Sequence, residues 1–381
     1  MGCRAGYPTG AAAGEGARTH RGLGSPEGTP VMRRGFRGLT TLVMATLVVA
    51  GCSSREATPP IPTADDADGY QVRWPAGLQP PGEALDCPDG GEQVATAEEL
   101  QDGLETALPG DVIQLADGEY EGQFRITKAG TRDEPIWLCG SRDAVLHGQD
   151  VEQGTVLRLV GGSHWNLVGF TVRTAKKGLM VEGSNESLIQ GLSVHDIGDE
   201  AIHLKGASSG NVVRDNDISD TGNRREQFGE GVYVGSAESN WCEETACEPD
   251  RSDRNIVMDN VISGTTSEAV DVKEGTSGGV VVGNVFDGDS LTGDADSWVD
   301  VKGNRWLVQD NRGNASPRTG FEVQSVVDGW GDGNVLAGNS GDVNGADLGI
   351  DVRGGEGNVV TCDNDFEGTD EAKFNVECVS T

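Results

Sequence analysis

The 381-residue sequence is short of long apolar runs, of cations and of aromatic side chains. Its apolar run Leu39–Ala50 is too short to cross a bilayer. Lys and Arg number 29 against 62 Asp and Glu; residues 52–381 keep 23 cations and 60 acids, a net charge of −37. Such a surface repels nucleic acid and anionic membranes. It also disfavours a polyanionic ligand, unless a local cationic strip or a bound metal overrides the field. Aromatics make up 5% of the chain while Gly reaches 58. With recurrent Asn and Asp, that composition suits many tight turns and few helices. No histidine lies near the cysteines beyond residue 52, which disfavours a zinc site.

Residues 1–31 show no apolar periodicity. From Met32, which is expected to be the true start, Arg33, Arg34 and Arg37 precede the apolar run, which ends in Val49-Ala50-Gly51-Cys52. That order reads as a signal peptide. Small residues before a cysteine resemble the lipobox of bacterial lipoproteins. The resemblance implies lipidation at Cys52 and a place on the extracellular face of the cell membrane, held by lipid alone; more than one acyl chain makes such anchoring stable. Three regions are therefore expected: 1–51, an extension and signal peptide; 52–84, a lipidated cysteine and flexible tether; and 85–381, the folded domain.

Six cysteines remain: Cys87, Cys139, Cys242, Cys247, Cys362 and Cys378. An even count in an exported chain suggests disulfides. Sequence proximity favours Cys87–Cys139, Cys242–Cys247 and Cys362–Cys378. A monomer is expected.

Internal repetition is the strongest signal. Segments such as Ala201-Ile-His-Leu-Lys205, Gly231-Val-Tyr-Val-Gly235, Ala269-Val-Asp-Val-Lys273 and Trp298-Val-Asp-Val-Lys302 alternate apolar and polar residues, the period of a strand. Second and third short strands follow each, with an Asn recurring between them: Asn216, Asn260, Asn284, Asn311, Asn339 and Asn364. Three short strands per repeat describe one coil of a right-handed parallel β-helix, all-β, with about ten coils. One coil cannot bury its apolar face alone, so coils stack. The recurrent Asn are expected to form an amide ladder. At the N-terminal edge, Thr96-Ala-Glu-Glu99 is a capping box, and Leu100, Leu104, Ala107 and Leu108 share one helical face, which predicts a helix over the open end.

This helix and the following Leu108-Pro-Gly-Asp-Val-Ile-Gln-Leu-Ala-Asp-Gly-Glu-Tyr120 closely resemble the start of pectin-lyase-like β-helix proteins, which include polysaccharide lyases. The resemblance covers roughly residues 85–378. The paired-Asp pattern of polygalacturonases and the Asp-Pro-His motif of alginate epimerases are missing.

If Ile202, Leu204, Val232, Val234 and their equivalents point inward, their neighbours point out. One outward column reads Arg158, Met180, His203, Tyr233, Asp271, Asp300, Glu322, Asp351. The other reads Val160, Glu182, Lys205, Gly235, Lys273, Lys302, Gln324, Arg353. In lyases of this fold the glycan lies along such a sheet, and a Lys or Arg takes the proton α to a uronate carboxylate. A lysine base needs its pKa lowered, and the growing charge needs cations or Ca2+. Lys273 is therefore expected as base and Tyr233 as donor to the leaving oxygen, with His203 or His195 a further acid. Lys205, Lys302 and Arg353 are expected to bind carboxylates, and Asp271 and Asp300 to hold Ca2+. The bland alternative is a ladder of ion pairs. Trp241, on the insertion Ser236–Arg254, is a candidate sugar platform, as are Trp298 and Trp330. The leading expectation is a surface-anchored polysaccharide lyase acting on a uronic-acid glycan. A glycoside hydrolase using Glu200, Glu230 and Glu268 is one rival, and a non-catalytic glycan-binding surface protein is the other.

Overall fold

The computed structural model describes residues 69–292, 295–370 and 372–381. Cys52 and the signal segment lie outside the described residues. The chain forms a right-handed parallel β-solenoid of about ten coils, with three sheets of 11, 10 and 10 strands. The first sheet runs from Phe124–Ile126 through Val232–Val234, Val270–Val272 and Val299–Val301 to Ala372–Phe374. The second includes Val212–Arg214, Ile256–Met258, Val280–Val282 and Leu307–Gln309, and the third Asp217–Ser219 and Val261–Ser263. Among the described residues no helix is long and apolar enough to cross a membrane.

The expected phasing holds. Ile202, Leu204, Val232, Val234, Val270, Val272, Val299 and Val301 are all fully buried in one core. Trp298 belongs to that core and not to the groove. It fits because glycines face it: a Cβ on Gly313 would come within 2.2 Å of its ring. The Asn ladder also forms. Asn216 donates to Asn260 Oδ1 (2.9 Å), Asn260 to Asn284 Oδ1 (2.9 Å), Asn284 to Asn311 (2.9 Å), Asn311 to Asn339 (3.0 Å) and Asn339 to Asn364 (3.0 Å). Each amide thereby satisfies buried groups at a turn where the sheet bonding breaks.

The capping box at Thr96 starts the helix Ala97–Thr106, which buries Leu100 and Leu104 against the first coil. Leu108 does not join them and is 65% exposed, because the helix stops at Thr106 and Pro109 follows. The three disulfides are Cys87–Cys139, Cys242–Cys247 and Cys362–Cys378, the pairs that proximity favoured.

One boundary moves. Residues 69–84, expected to belong to a tether, are a strap on the second sheet. That sheet turns an apolar column outward, Val212, Ile256, Val280, Leu307 and Val335 in register. Val72, Trp74 and Leu78 cover it. Arg254 donates to the carbonyls of Ala76 (3.1 Å) and Gly77 (2.7 Å), and Arg214 to that of Gly82 (2.7 Å). Removing this apolar column from water favours the strap at roughly 25 cal/mol per Å² buried, enough to order a short segment when backbone bonds are also met.

Candidate active site

The first outward column is in register along the first sheet: Arg158, Met180, His203, Tyr233, Asp271, Asp300, Glu322 and Asp351 are consecutive partners. The Lys column follows just past the strand ends, where the ladder continues: Lys273 N–H donates to Val234 O (2.8 Å) and Lys302 N–H to Val272 O (2.7 Å). The strip therefore has two layers. Carboxylates form the lower layer, and ammonium and guanidinium groups sit on top of them.

Asp271 is shared. Its Oδ2 meets Lys273 Nζ at 2.5 Å and its Oδ1 meets Lys302 Nζ at 3.1 Å. Lys302 also pairs with Asp300, which accepts from Gln324 Nε2 (3.2 Å). Arg353 meets Glu322 (2.6 Å), Asp351 (2.7 Å) and Asp296 (3.2 Å). Lys205 meets Glu244 at 2.6 Å, an acid carried by the short helix Trp241–Glu244 of the insertion. The ladder of ion pairs is thus real, buried on its acidic side and partly exposed on its basic side.

Charge states follow from this layering. Burial alone would lower Lys273, yet bonded Asp271, then Asp300 and Glu230, outweigh it and hold the ammonium well above the ordinary lysine range. This runs opposite to the lowering that a resting lysine base needs. Lys302 is held up likewise by Asp271 and Asp300. Burial opposes ionisation of Asp271, but Lys273 and Lys302 keep it low. Burial pushes Glu268 up to about 7 and Glu322 up to about 8, with neighbouring aspartates adding to both, and it raises Glu230 well above its usual range. Near neutrality about half of Glu268 and most of Glu322 therefore carry a proton, which leaves fewer anions beneath the layer of Lys205, Lys273, Lys302 and Arg353.

His203 is buried and its two nitrogens face acceptors: Nδ1 lies 3.0 Å from Glu200 Oε1 and Nε2 2.8 Å from Gly235 O. Both ring nitrogens are thus engaged within the fold and neither points into the groove. The role open to His203 is support. Its ring stacks on Tyr233 at 4.1 Å between centroids and 28° between planes. Tyr233 is half-buried, and burial with Asp271 and Glu230 nearby raises its phenol well above the ordinary range, so it stays protonated. Its hydroxyl has no hydrogen-bond partner among the described residues, and Lys273 Nζ lies 5.2 Å from its ring centroid.

Other expected site residues fall elsewhere. Trp241 folds down beside Gly275, 8% exposed, and donates to Ser236 O (2.8 Å); it anchors the insertion and presents no platform. His195 is on the third sheet. The Glu column does not reach the groove: Glu200, Glu230 and Glu268 are all buried. Glu200 is held ionised against burial by His203 and Lys177. Asp271 and Asp300 do not fit a Ca2+ ion. Three of their four oxygens accept from lysines, and Ca2+ takes six to eight oxygen ligands. Glu230, Glu268 and Asp271 bring one oxygen each within 4.8 Å of one another; the two lysines on Asp271 supply the positive charge there.

The raised Glu268 has a consequence for stability. Between the ordinary glutamate value of about 4.3 and about 7, the folded chain keeps a proton that the unfolded chain has lost. Stability from this group is therefore lost as pH rises through that window. Glu268→Gln is expected to stabilise the fold at pH 8 by on the order of 2–3 kcal/mol and to change it little at pH 4, read by urea unfolding at both pH values. Destabilisation at pH 8 would show that the carboxylate is needed there as an anion.

Residues 155–305 match the family model for the right-handed beta helix region. The sequence matches no curated protein at a significant level. Among solved structures, the alginate lyase from Paenibacillus sp. str. FPU-7 is 33% identical with a TM-score of 0.66, over 74% of this chain and 98% of that one. A mannuronic acid specific polysaccharide family 6 lyase from human gut microbiota has a TM-score of 0.52 at 14% identity, over 74% and 66%. A pectate lyase has 0.50 at 14%, over 69% and 72%. The last two show the fold alone; the first shows more. The chain belongs to the right-handed parallel β-helix proteins of the pectate- and alginate-lyase type.

Proposed function

We propose that this chain is a polysaccharide lyase that cuts a uronic-acid glycan by β-elimination on the first sheet. The observation that carries this is the Tyr233 hydroxyl, protonated and without a partner among the described residues, beside the Lys273 ammonium at the centre of a cationic strip. Likeness to the alginate lyase over 98% of that enzyme's chain supports the reaction class.

In the proposed step Lys273, as the free amine, takes the proton α to the uronate carboxylate. The electron pair left behind forms the C4=C5 double bond, the C4–O4 bond breaks, and the Tyr233 hydroxyl protonates the departing oxygen. Lys302, Lys205 and Arg353 offset the growing carboxylate charge, as preorganised cations do in a site partly shielded from water. Anchoring through Cys52 would hold the strip at the cell surface, where such a glycan is met.

Because Lys273 rests as an ammonium, kcat/KM is expected to climb with pH through about 7–9 without a plateau. A plateau starting near pH 7 would mean that a group other than Lys273 takes the proton. Tyr233→Phe is expected to lower kcat by about a hundredfold or more with little change in KM, since the ring and its stack on His203 remain. The reading itself is tested by incubating the chain with alginate, pectate and neutral glucans. Ultraviolet-absorbing unsaturated products from a uronic-acid glycan alone are expected, and depolymerisation of a neutral glucan would overturn it.

A further inference from the structure

A second feature concentrates positive charge away from the strip. Of the 23 cations in residues 52–381, four arginines, Arg73, Arg251, Arg254 and Arg305, line one cavity of about 780 Å³ between the strap and the second sheet. That volume lies within the roughly 300–1,000 Å³ of small-ligand sites. Ser277 and Gly278 also line it, on the turn that begins just after Lys273, so the cavity lies round the corner of the coil from the strip.

Its lining has the chemistry of an acidic sugar site. Tyr70 and Trp74 of the strap are half-buried there and give apolar ring faces. Arg254 is used up in holding the strap at Ala76 and Gly77. Arg73 is exposed and makes no ion pair among the described residues, although the rest of the surface is rich in carboxylates. Arg251 is exposed and held by Asp253 Oδ2 (2.8 Å), with its guanidinium 5.9 Å from the Trp330 ring centroid. Asp253 Oδ1 is buried without a hydrogen-bond partner, an acceptor for a hydroxyl. A guanidinium binds a carboxylate through two parallel bonds, and an aromatic face takes the apolar face of a pyranose ring.

We infer that this cavity is a second glycan-binding site, which takes a few residues of an acidic polysaccharide and holds the chain while the strip acts on it. The choice of an acidic glycan rests on the proposed function; the cavity and its arginines do not.

The test uses the full chain carrying Lys273→Ala, so that no substrate is consumed, titrated calorimetrically with an alginate hexasaccharide and with cellohexaose. Two binding events are expected for the hexuronate and weak or no binding for cellohexaose. Adding Arg73→Ala and Arg251→Ala should remove one event or weaken it by about tenfold. Arg73→Glu alone, at an exposed position, should do the same if the double variant folds poorly. In the active enzyme these substitutions should raise KM for the polymer by about tenfold and leave short-oligosaccharide turnover within about twofold. Unchanged stoichiometry and affinity in Arg73→Glu would overturn the site, as would equally tight cellohexaose binding. Binding that depends on Arg73 without cleavage of any uronate would sink the lyase reading and leave the cavity standing. Cleavage with binding indifferent to Arg73 would do the reverse.

Discussion

Lys273→Arg is expected to lower turnover by about a thousandfold or more, to within a few-fold of Lys273→Ala. Arginine keeps the positive charge that Asp271 meets at 2.5 Å, and so preserves the buried pairing. It cannot shed its proton in the working range, so it cannot act as a base. The contrast separates two roles that loss of the side chain confounds. If Lys273 only neutralised the substrate carboxylate, arginine would retain a large share of the rate, because a guanidinium pairs with a carboxylate at least as well. Steady-state kinetics on the three proteins, with circular dichroism to confirm an intact solenoid, gives the answer. Lys302 stays on Asp271 in both variants, so the buried carboxylate is never left unpaired.

Asn260→Ala is expected to cost about 3–5 kcal/mol of stability, although the residue is far from any chemistry. Its Oδ1 accepts from Asn216 N (3.0 Å) and Nδ2 (2.9 Å), and its Nδ2 donates to Val213 O (3.0 Å) and Asn284 Oδ1 (2.9 Å). Alanine ends all four bonds. Each net bond contributes about 1 kcal/mol, and partners left buried without water cost about 1–3 kcal/mol apiece, with relaxation reducing the sum. The fully buried site offers no solvent to replace them. Urea unfolding followed by tryptophan fluorescence measures the loss. A change below about 1 kcal/mol would mean that the ladder follows from the fold and contributes little to it.

The solenoid was legible because its signal is local and repeated. Alternation in Val-Tyr-Val, Val-Asp-Val and Val-Asp-Val sets which side chains face in, and stacking aligns the rest. One phase therefore placed eight outward residues in register from Arg158 to Asp351. The disulfides were legible by proximity. The strap was not, since the cluster of Ile256, Val280 and Leu307 that Trp74 packs against exists only after coils have stacked. A hint was present all the same. Strands such as Val280-Val-Val282 and Ile256-Val-Met258 are apolar on both faces, as strands covered on both sides are. The tryptophans misled for a related reason. Trp298 borders the same Val-Asp-Val pattern as the site, and only the stacked glycines Gly313 and Gly320 make room for it inside.

At the site itself, residue types were legible and their charge states were not. Lys273 read as a base because cations flank it in sequence order. Its actual neighbours are carboxylates from three coils, Asp271, Asp300 and Glu230, with Glu268 beside Asp271, brought beneath it across insertions of unequal length. His203 was picked for its side chain, but the carbonyl of Gly235 on the next coil decides what it can do.

The most direct test of the central claim is the mass of the products released from an alginate oligosaccharide of defined length. Elimination at C4–O4 by the strip should yield a pair of fragments whose masses sum to the mass of the parent, the new non-reducing end carrying a C4=C5 double bond. Fragments whose masses sum to the parent plus one water would mean hydrolysis, and would contradict the roles given to Lys273 and Tyr233.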